Sequence, residues 1–295
     1  MNSLAERASR GRRILVVGLI LNSALAAIKL AAGWIGNSTA LIADGVESTL
    51  DVFSSAMIWG ALKYAERPPD SDHPYGHGKM ESLAAVGGAL LLLTAGVIVA
   101  MNSMKDILHG SPDRPAPAPF TLIVLVGVVV LKETLFQIAD RRGREIGSSS
   151  IGSDAWHHRS DALTSLAALI GISVALIGGR PWINADDWAA LFSCVIIVLN
   201  GGRMLKTGLG EILDEQAPAA TIQQITESAR TVPGVENVEK CRVRKSGLSL
   251  IADLHVRVKG EASVTDGHVI AHRVKDTLMA GQHHLSDVTV HIEPA

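Results

Sequence analysis

Within an apolar stretch of this 295-residue chain, the run ADGVESTLD carries Asp44, Glu47 and Asp51, and within a later one the run SDAWHHRSD carries Asp154, His157, His158, Arg159 and Asp161. Ionisable groups in a segment that could lie in a membrane are costly to desolvate, so each is a functional candidate. On a helix Glu47 and Asp51, four apart, stack on one face with Asp44 one turn earlier, and His157 and Asp161 repeat the same spacing. Two helices that each offer such a pair can place three carboxylates and one imidazole around a single ion, a tetrahedral set suited to zinc or a similar divalent metal. The competing reading pairs these acids with Arg159 or Lys29, or leaves them in interfacial water. It suits Asp44, Asp154 and His158, which lack a matching face, better than it suits Glu47, Asp51, His157 and Asp161.

Two further clusters lie outside the apolar stretches. In the run PPDSDHPYGHGKMES, His73 and His77 flank a Pro-Tyr-Gly turn with Asp70 three residues upstream, a candidate second metal site. GHGK is not a phosphate-binding loop, because its spacing is too short and Met80 stands where Ser or Thr would be needed. Near the C-terminus His255 falls on the non-core face of an expected strand, and His291 and Glu293 share that face of the last strand, two residues apart. Imidazoles gathered on a sheet face suggest ligands, against the ordinary occurrence of single surface histidines. His268 and His272 form an i, i+4 pair, and His283 and His284 a loop pair.

The elements that must carry these groups are read from the distribution of apolar residues. A composition of 47% hydrophobic and 19% charged residues fits an alanine-rich soluble protein as well as a membrane protein, so totals do not decide. Distribution does: long apolar runs fill the chain from Ile14 to Leu213, and charge crowds the residues beyond Leu213. A bilayer core needs about 20 apolar residues per helix. Six stretches qualify, at 14–35, 38–64, 81–105, 118–140, 153–178 and 183–207. The first is too long for the apolar part of a cleaved signal peptide. Arg and Lys concentrate before the first stretch, after the second and fourth, and at the end of the sixth, which puts both termini on the cytoplasmic side. The formal net charge of −2, with no basic block or stripe, gives no reason to expect nucleic acid. Cys194 and Cys241 have no CxxC spacing, so neither a disulfide framework nor a thiolate zinc site is indicated.

After Asp214 the pattern changes. Ile222, Ile225 and Ala229 recur at helical spacing, Leu250 to Val258 and Val288 to Ile292 alternate with period two, and a further strand at 236–244 and a helix at 264–279 complete the order helix, strand, strand, helix, strand. A small α+β sandwich closes such a set. The expected division is a transport domain over 1–213 and a soluble domain over 214–295.

The acid pair of the second stretch, the loop DHPYGHGKMESLAA and the run HHRSDALTS together resemble the cation diffusion facilitator family, over nearly the whole chain. The resemblance implies a multi-pass protein of the cell's inner (plasma) membrane, with six transmembrane helices and a ferredoxin-like cytoplasmic domain, exchanging divalent metal ions for protons. By analogy the transport site is Glu47, Asp51, His157 and Asp161, the loop site Asp70, His73 and His77, and the domain site His255, His291 and Glu293 with His268. Partners implied are protons, the lipid bilayer and a second copy in a homodimer whose soluble domains meet and read metal concentration. Two departures are Glu47, where His or Asp is usual, and Glu239, where bacterial exporters of the family carry a domain-site histidine. Zinc is the first candidate substrate, with ferrous iron, cadmium, cobalt and manganese also compatible.

Three carboxylates in a poorly solvated bundle cannot all stay ionised, so an empty transport site is expected to hold protons that an entering metal releases. His157 would be the neutral ligand that can also carry a proton. A membrane metalloenzyme, with the acid and histidine pairs holding a catalytic metal and a general base, is a rival class, but the sequence has neither HExxH nor GxSxG. A metal-sensing or scaffold protein with the same fold but no transport is the alternative in a different class.

Overall fold

The computed structural model describes residues 4–109, 115–146, 149–281 and 284–295, and leaves the side chains of 4–18, 139 and 142–158 outside the description. Six long helices occupy the six apolar stretches: α1 (Leu4–Ile35), α2 (Thr39–Ala65), α3 (Lys79–His109), α4 (Phe120–Ile146), α5 (Ser149–Gly178) and α6 (Ala185–Ile212). Several run past their apolar windows, because a helix need not stop where the apolar run does when no proline or capping signal stops it. Among the described residues, Lys79–His109, Phe120–Ile138, Arg159–Gly178 and Arg180–Ile212 are long and apolar enough to cross a membrane. At 27 residues α2 is long enough too, but it carries Asp44, Glu47 and Asp51 in its first half.

The chain divides into two compact units, one of Met1–Ala56 and Gly88–Arg203 and the other of Met57–Gly87 and Met204–Ala295. In the first, α1 and α2 approach through reciprocal glycines. A Cβ at Gly33 would lie 2.9 Å from the Ile42 backbone nitrogen, and one at Gly45 would lie 2.9 Å from the Leu30 nitrogen. Small residues allow this backbone approach, the packing that serves helices in lipid, where hydrophobic burial supplies no net drive. Leu41, Leu125, Ala168, Ile172 and Ala190 form the buried centre of this unit.

The entry to α2 is held from a distant part of the chain. Asp186, fully buried near the start of α6, accepts hydrogen bonds from the Ser38 hydroxyl at 2.7 Å and from the backbone N–H groups of Thr39 at 2.6 Å and Ala40 at 3.3 Å. The Ser38 hydroxyl in turn accepts from the Leu41 N–H at 3.1 Å. These are the first-turn donors that a helix cannot satisfy internally, and a carboxylate there also meets the positive end of the helix dipole.

In the second unit, α7 (Ala219–Arg230) and α8 (Val264–Ala280) pack with a three-stranded sheet of β1 (Asn237–Ser246), β2 (Ser249–Val258) and β3 (Leu285–Pro294). The strand order is β1-β2-β3, with β1 antiparallel and β3 parallel to β2. This is the expected ferredoxin-like α+β arrangement of helix, strand, strand, helix, strand. Ala252, Leu254, Val256 and Val258 are buried with Ile225, Val274, Leu278 and Val288, which is the period-two pattern read as one core face. Ile251 departs from it, since it is also buried although it faces the other way. There it lines a cavity of about 390 Å³ with Pro69, Tyr75 and His77, so both faces of β2 are covered at that point. A bulge between Val238 and Lys240 takes Glu239 out of the ladder.

Replacing Asp186 by alanine leaves two backbone donors and a hydroxyl at the α2 entry without their acceptor. The Asp186→Ala protein is expected to lose about 2 kcal/mol or more, with Asp186→Asn intermediate, measured by thermal unfolding in detergent.

Candidate metal sites

The loop site is built by local hydrogen bonding. The Asp70 carboxylate accepts from the His73 N–H at 2.7 Å and the Asp72 N–H at 3.1 Å, which folds the loop back on itself. His73 Nδ1 then lies 3.2 Å from Asp70 Oδ1, and His77 Nε2 3.3 Å from Oδ2. The turn between the histidines closes with the Gly76 N–H donating to the His73 carbonyl at 2.9 Å. It needs φ of +81° at Gly76, a left-handed conformation that glycine adopts without strain. The His73 N–H, with help from its ring and from the Asp72 N–H, holds the exposed Asp70 carboxyl below the usual carboxylate range, so it is ready as an anionic ligand at neutral pH. His77 is 6% exposed, packs edge-on against Tyr64, and has a buried Nδ1 with no hydrogen-bond partner among the described residues. Part of the ligand set is thus open to solvent and part buried.

The domain site is set by sheet register. Parallel pairing of β2 with β3 puts His255 directly beside His291 and Arg257 beside Glu293. The two imidazole centres are 5.0 Å apart, His255 Nδ1 lies 2.6 Å from Glu293 Oε1, and His291 Nε2 lies 3.7 Å from the same oxygen. Hydrogen bonding from His255 is the main reason that the Glu293 carboxyl is held below its usual range. Glu239, thrown out by its bulge, is taken by Arg257 at 2.6 Å. His268 is not one of this group of three; it meets His272 edge-on on α8, with ring centres 4.5 Å apart. His283 lies outside the described residues.

Among the described residues, these are the two groups whose three ligand atoms all lie within 4.8 Å of one another. The candidate transport set is different in kind. Glu47 is 4% exposed, and its Oε2 is buried with no hydrogen-bond partner among the described residues. Asp161, Asp51, Asp44 and Lys29 all lie close enough to act on it electrostatically. The side chains of Asp154, His157 and His158 are outside the described residues.

Asp44 is fully committed elsewhere: Lys29 Nζ lies 2.9 Å from its Oδ2, the Ser165 hydroxyl donates to that oxygen at 2.7 Å, and the Thr164 hydroxyl donates to Oδ1 at 3.3 Å. This is the Lys29 pairing that the sequence allows for. Asp161 has a partner that sequence reasoning missed. Lys132, from the run VVVLKETLFQ of α4, donates to Asp161 Oδ2 at 2.7 Å and to Asn22 Oδ1 at 3.1 Å. A charged residue in an apolar run is the same signal that marked the acids, and it pointed to Lys132 as plainly as to Asp161.

Known proteins resemble the chain over its whole length. Residues 15–213 match the family model "Cation efflux transmembrane domain" and residues 217–295 match "Cation efflux protein, cytoplasmic domain". "Metal tolerance protein C1" of Arabidopsis thaliana is 32% identical over 97% of this chain, which spans 63% of that protein's length. "Manganese efflux system protein MneP" of Bacillus subtilis (strain 168) is 25% identical over 98% of both chains. A solved variant of the MamM C-terminal domain is 29% identical over 26% of this chain and 95% of that one, at a TM-score of 0.25. The two family models between them take in both the helices that carry Glu47, Asp51 and Asp161 and the sheet that carries His255, His291 and Glu293. The chain is therefore a multi-pass membrane protein of the cation diffusion facilitator family, whose members are cation efflux transporters and not enzymes.

Proposed function

We propose that this protein exports divalent transition-metal ions in exchange for protons, through a site formed by Glu47, Asp51, His157 and Asp161. The observation that carries this reading is the Glu47 carboxylate, buried among helices with one oxygen that has no hydrogen-bond partner among the described residues. An uncompensated carboxylate in such a place is costly, and a ligand that meets its charge removes the cost. Carboxylates outnumber imidazoles in the set, so selectivity is broad: zinc is accepted, and manganese and ferrous iron more readily than by a site with two histidines. A manganese efflux protein among the relatives fits that breadth.

The remaining sites extend the proposal. Asp70, His73 and His77 hold a second ion on the cytoplasmic side, and His255, His291 and Glu293 hold a third in the soluble domain, with His268 as a further donor. Residues 1–213 form the transport domain and 214–295 a soluble domain through which two copies dimerise. The protein sits in the inner membrane with both termini cytoplasmic, a reading that the distribution of Arg and Lys supports.

Metal flux and lumenal pH recorded together in proteoliposomes test the central claim. Asp51→Ala and Asp161→Ala are expected to insert normally and to lose transport, because each removes a ligand from a set of four; normal flux in either variant rejects the site. Binding without flux in the unmodified protein identifies a sensor or scaffold instead.

Glu47→His exchanges a carboxylate for an imidazole. It is expected to raise discrimination for zinc over manganese about tenfold, equivalent to about 1.4 kcal/mol of differential binding. Fewer protons should be released per metal at neutral pH. Competitive uptake of the two metals and proton release on one preparation check both halves.

His77→Ala and Glu293→Ala are each expected to lower the number of metal ions bound per protomer, counted by elemental analysis after equilibrium dialysis. Neither is expected to abolish flux. Unchanged stoichiometry would remove the corresponding site from the scheme.

A further inference from the structure

Lys132 reaches across from α4 to the one candidate transport ligand on α5 whose side chain is described. Its ammonium and the Asp161 carboxylate are 5% and 7% exposed and 2.7 Å apart. Its second partner, Asn22 on α1, offers a neutral amide oxygen at 3.1 Å. The arrangement differs from Lys29 and Asp44, which are locked among Ser48, Thr164 and Ser165. Among the described residues the ammonium of Lys132 therefore has one charged anchor and one uncharged one. A flexible four-carbon stem lets a compact ammonium shift between two such oxygens, which a planar guanidinium does less easily.

A divalent ion takes a carboxylate oxygen at about 2.0–2.2 Å. An ammonium at hydrogen-bonding distance from that oxygen competes with the ion, because two cations then stand side by side in a poorly screened interior. Resting on the transport site of Glu47, Asp51, His157 and Asp161, we propose that Lys132 is a tethered competitor of the transported metal and a specificity-determining residue. Its ammonium occupies Asp161 while the site is empty and withdraws to Asn22 when the metal enters. Lys132 stays a cation throughout, and no bond is made or broken beyond the exchange of one cation for another on Asp161.

A metal accordingly binds more weakly than its ligand set alone would allow, and it is expelled more readily when the ammonium returns. A monovalent ion brings no more charge than the ammonium it would displace, so sodium and potassium are refused although carboxylates line the site.

The test uses the full-length protein in proteoliposomes, with zinc and manganese uptake measured over a range of concentrations and of potassium. Lys132→Met is expected to lower KM about tenfold for both metals, to lower the maximal rate as release slows, and to make uptake sensitive to potassium. Lys132→Arg keeps the charge and is expected to keep KM near its original value. Asn22→Leu removes the resting place of the displaced ammonium and is expected to raise KM, so it carries the test even if Lys132→Met fails to assemble. A purely structural role for Lys132 would raise KM or leave it unchanged in Lys132→Met, and either result overturns the proposal, as does an unchanged or lowered KM in Asn22→Leu. Asp51→Ala, run alongside, separates the two levels: normal uptake there removes the transport site and this proposal with it. Lost uptake there, with KM unmoved in Lys132→Met, removes the role of Lys132 alone.

Discussion

A charge among closely packed membrane helices must be met by another group or it opposes the fold, and that constraint organises the helical unit. Asp44 is met by Lys29 and two hydroxyls, Asp161 by Lys132, and Asp186 by the donors at the start of α2. Each partner comes from a different helix, so the pairs fix how α1, α2, α4, α5 and α6 are set against one another. Glu47 keeps one oxygen outside this accounting. An oxygen left in that position is the acceptor on which the proposed transport site rests.

The same helices can meet these demands only because their backbones come close. Gly33 and Gly45 bring α1 and α2 to a separation that a Cβ would forbid, and this lets the Lys29 side chain end on Asp44 and Ser48. Ser38 and Asp186 then hold the first turn of α2. Packing and electrostatics are therefore one problem here: without the glycines the lysine could not reach, and without the lysine the buried aspartate would stand uncompensated.

The loop and domain sites draw on different physics. Both are partly open to water, and their geometry comes from backbone hydrogen bonding. In the loop, two N–H groups on one carboxylate bring two histidines together. In the sheet, a parallel register does the same for His255 and His291. Solvent lowers the cost of leaving such polar groups without a partner.

Much of this was legible in the sequence because it depends on local spacing and on charge against hydropathy. The six apolar stretches, the period-two alternation of β2 and β3, the i, i+4 acids of α2 and the Asp70-His73-His77 spacing all express short-range rules. What only tertiary structure decided is which groups meet across the chain. Nothing near Asp161 in sequence points to Lys132, 29 residues away, and nothing near Ser38 points to Asp186, 148 residues away. Ile251 reads as a non-core residue until the loop bearing His77 covers it. Periodicity tells which face of an element is apolar, but the partner of a buried charge is chosen by how helices cross and how closely their backbones approach, and those are properties of the assembled bundle.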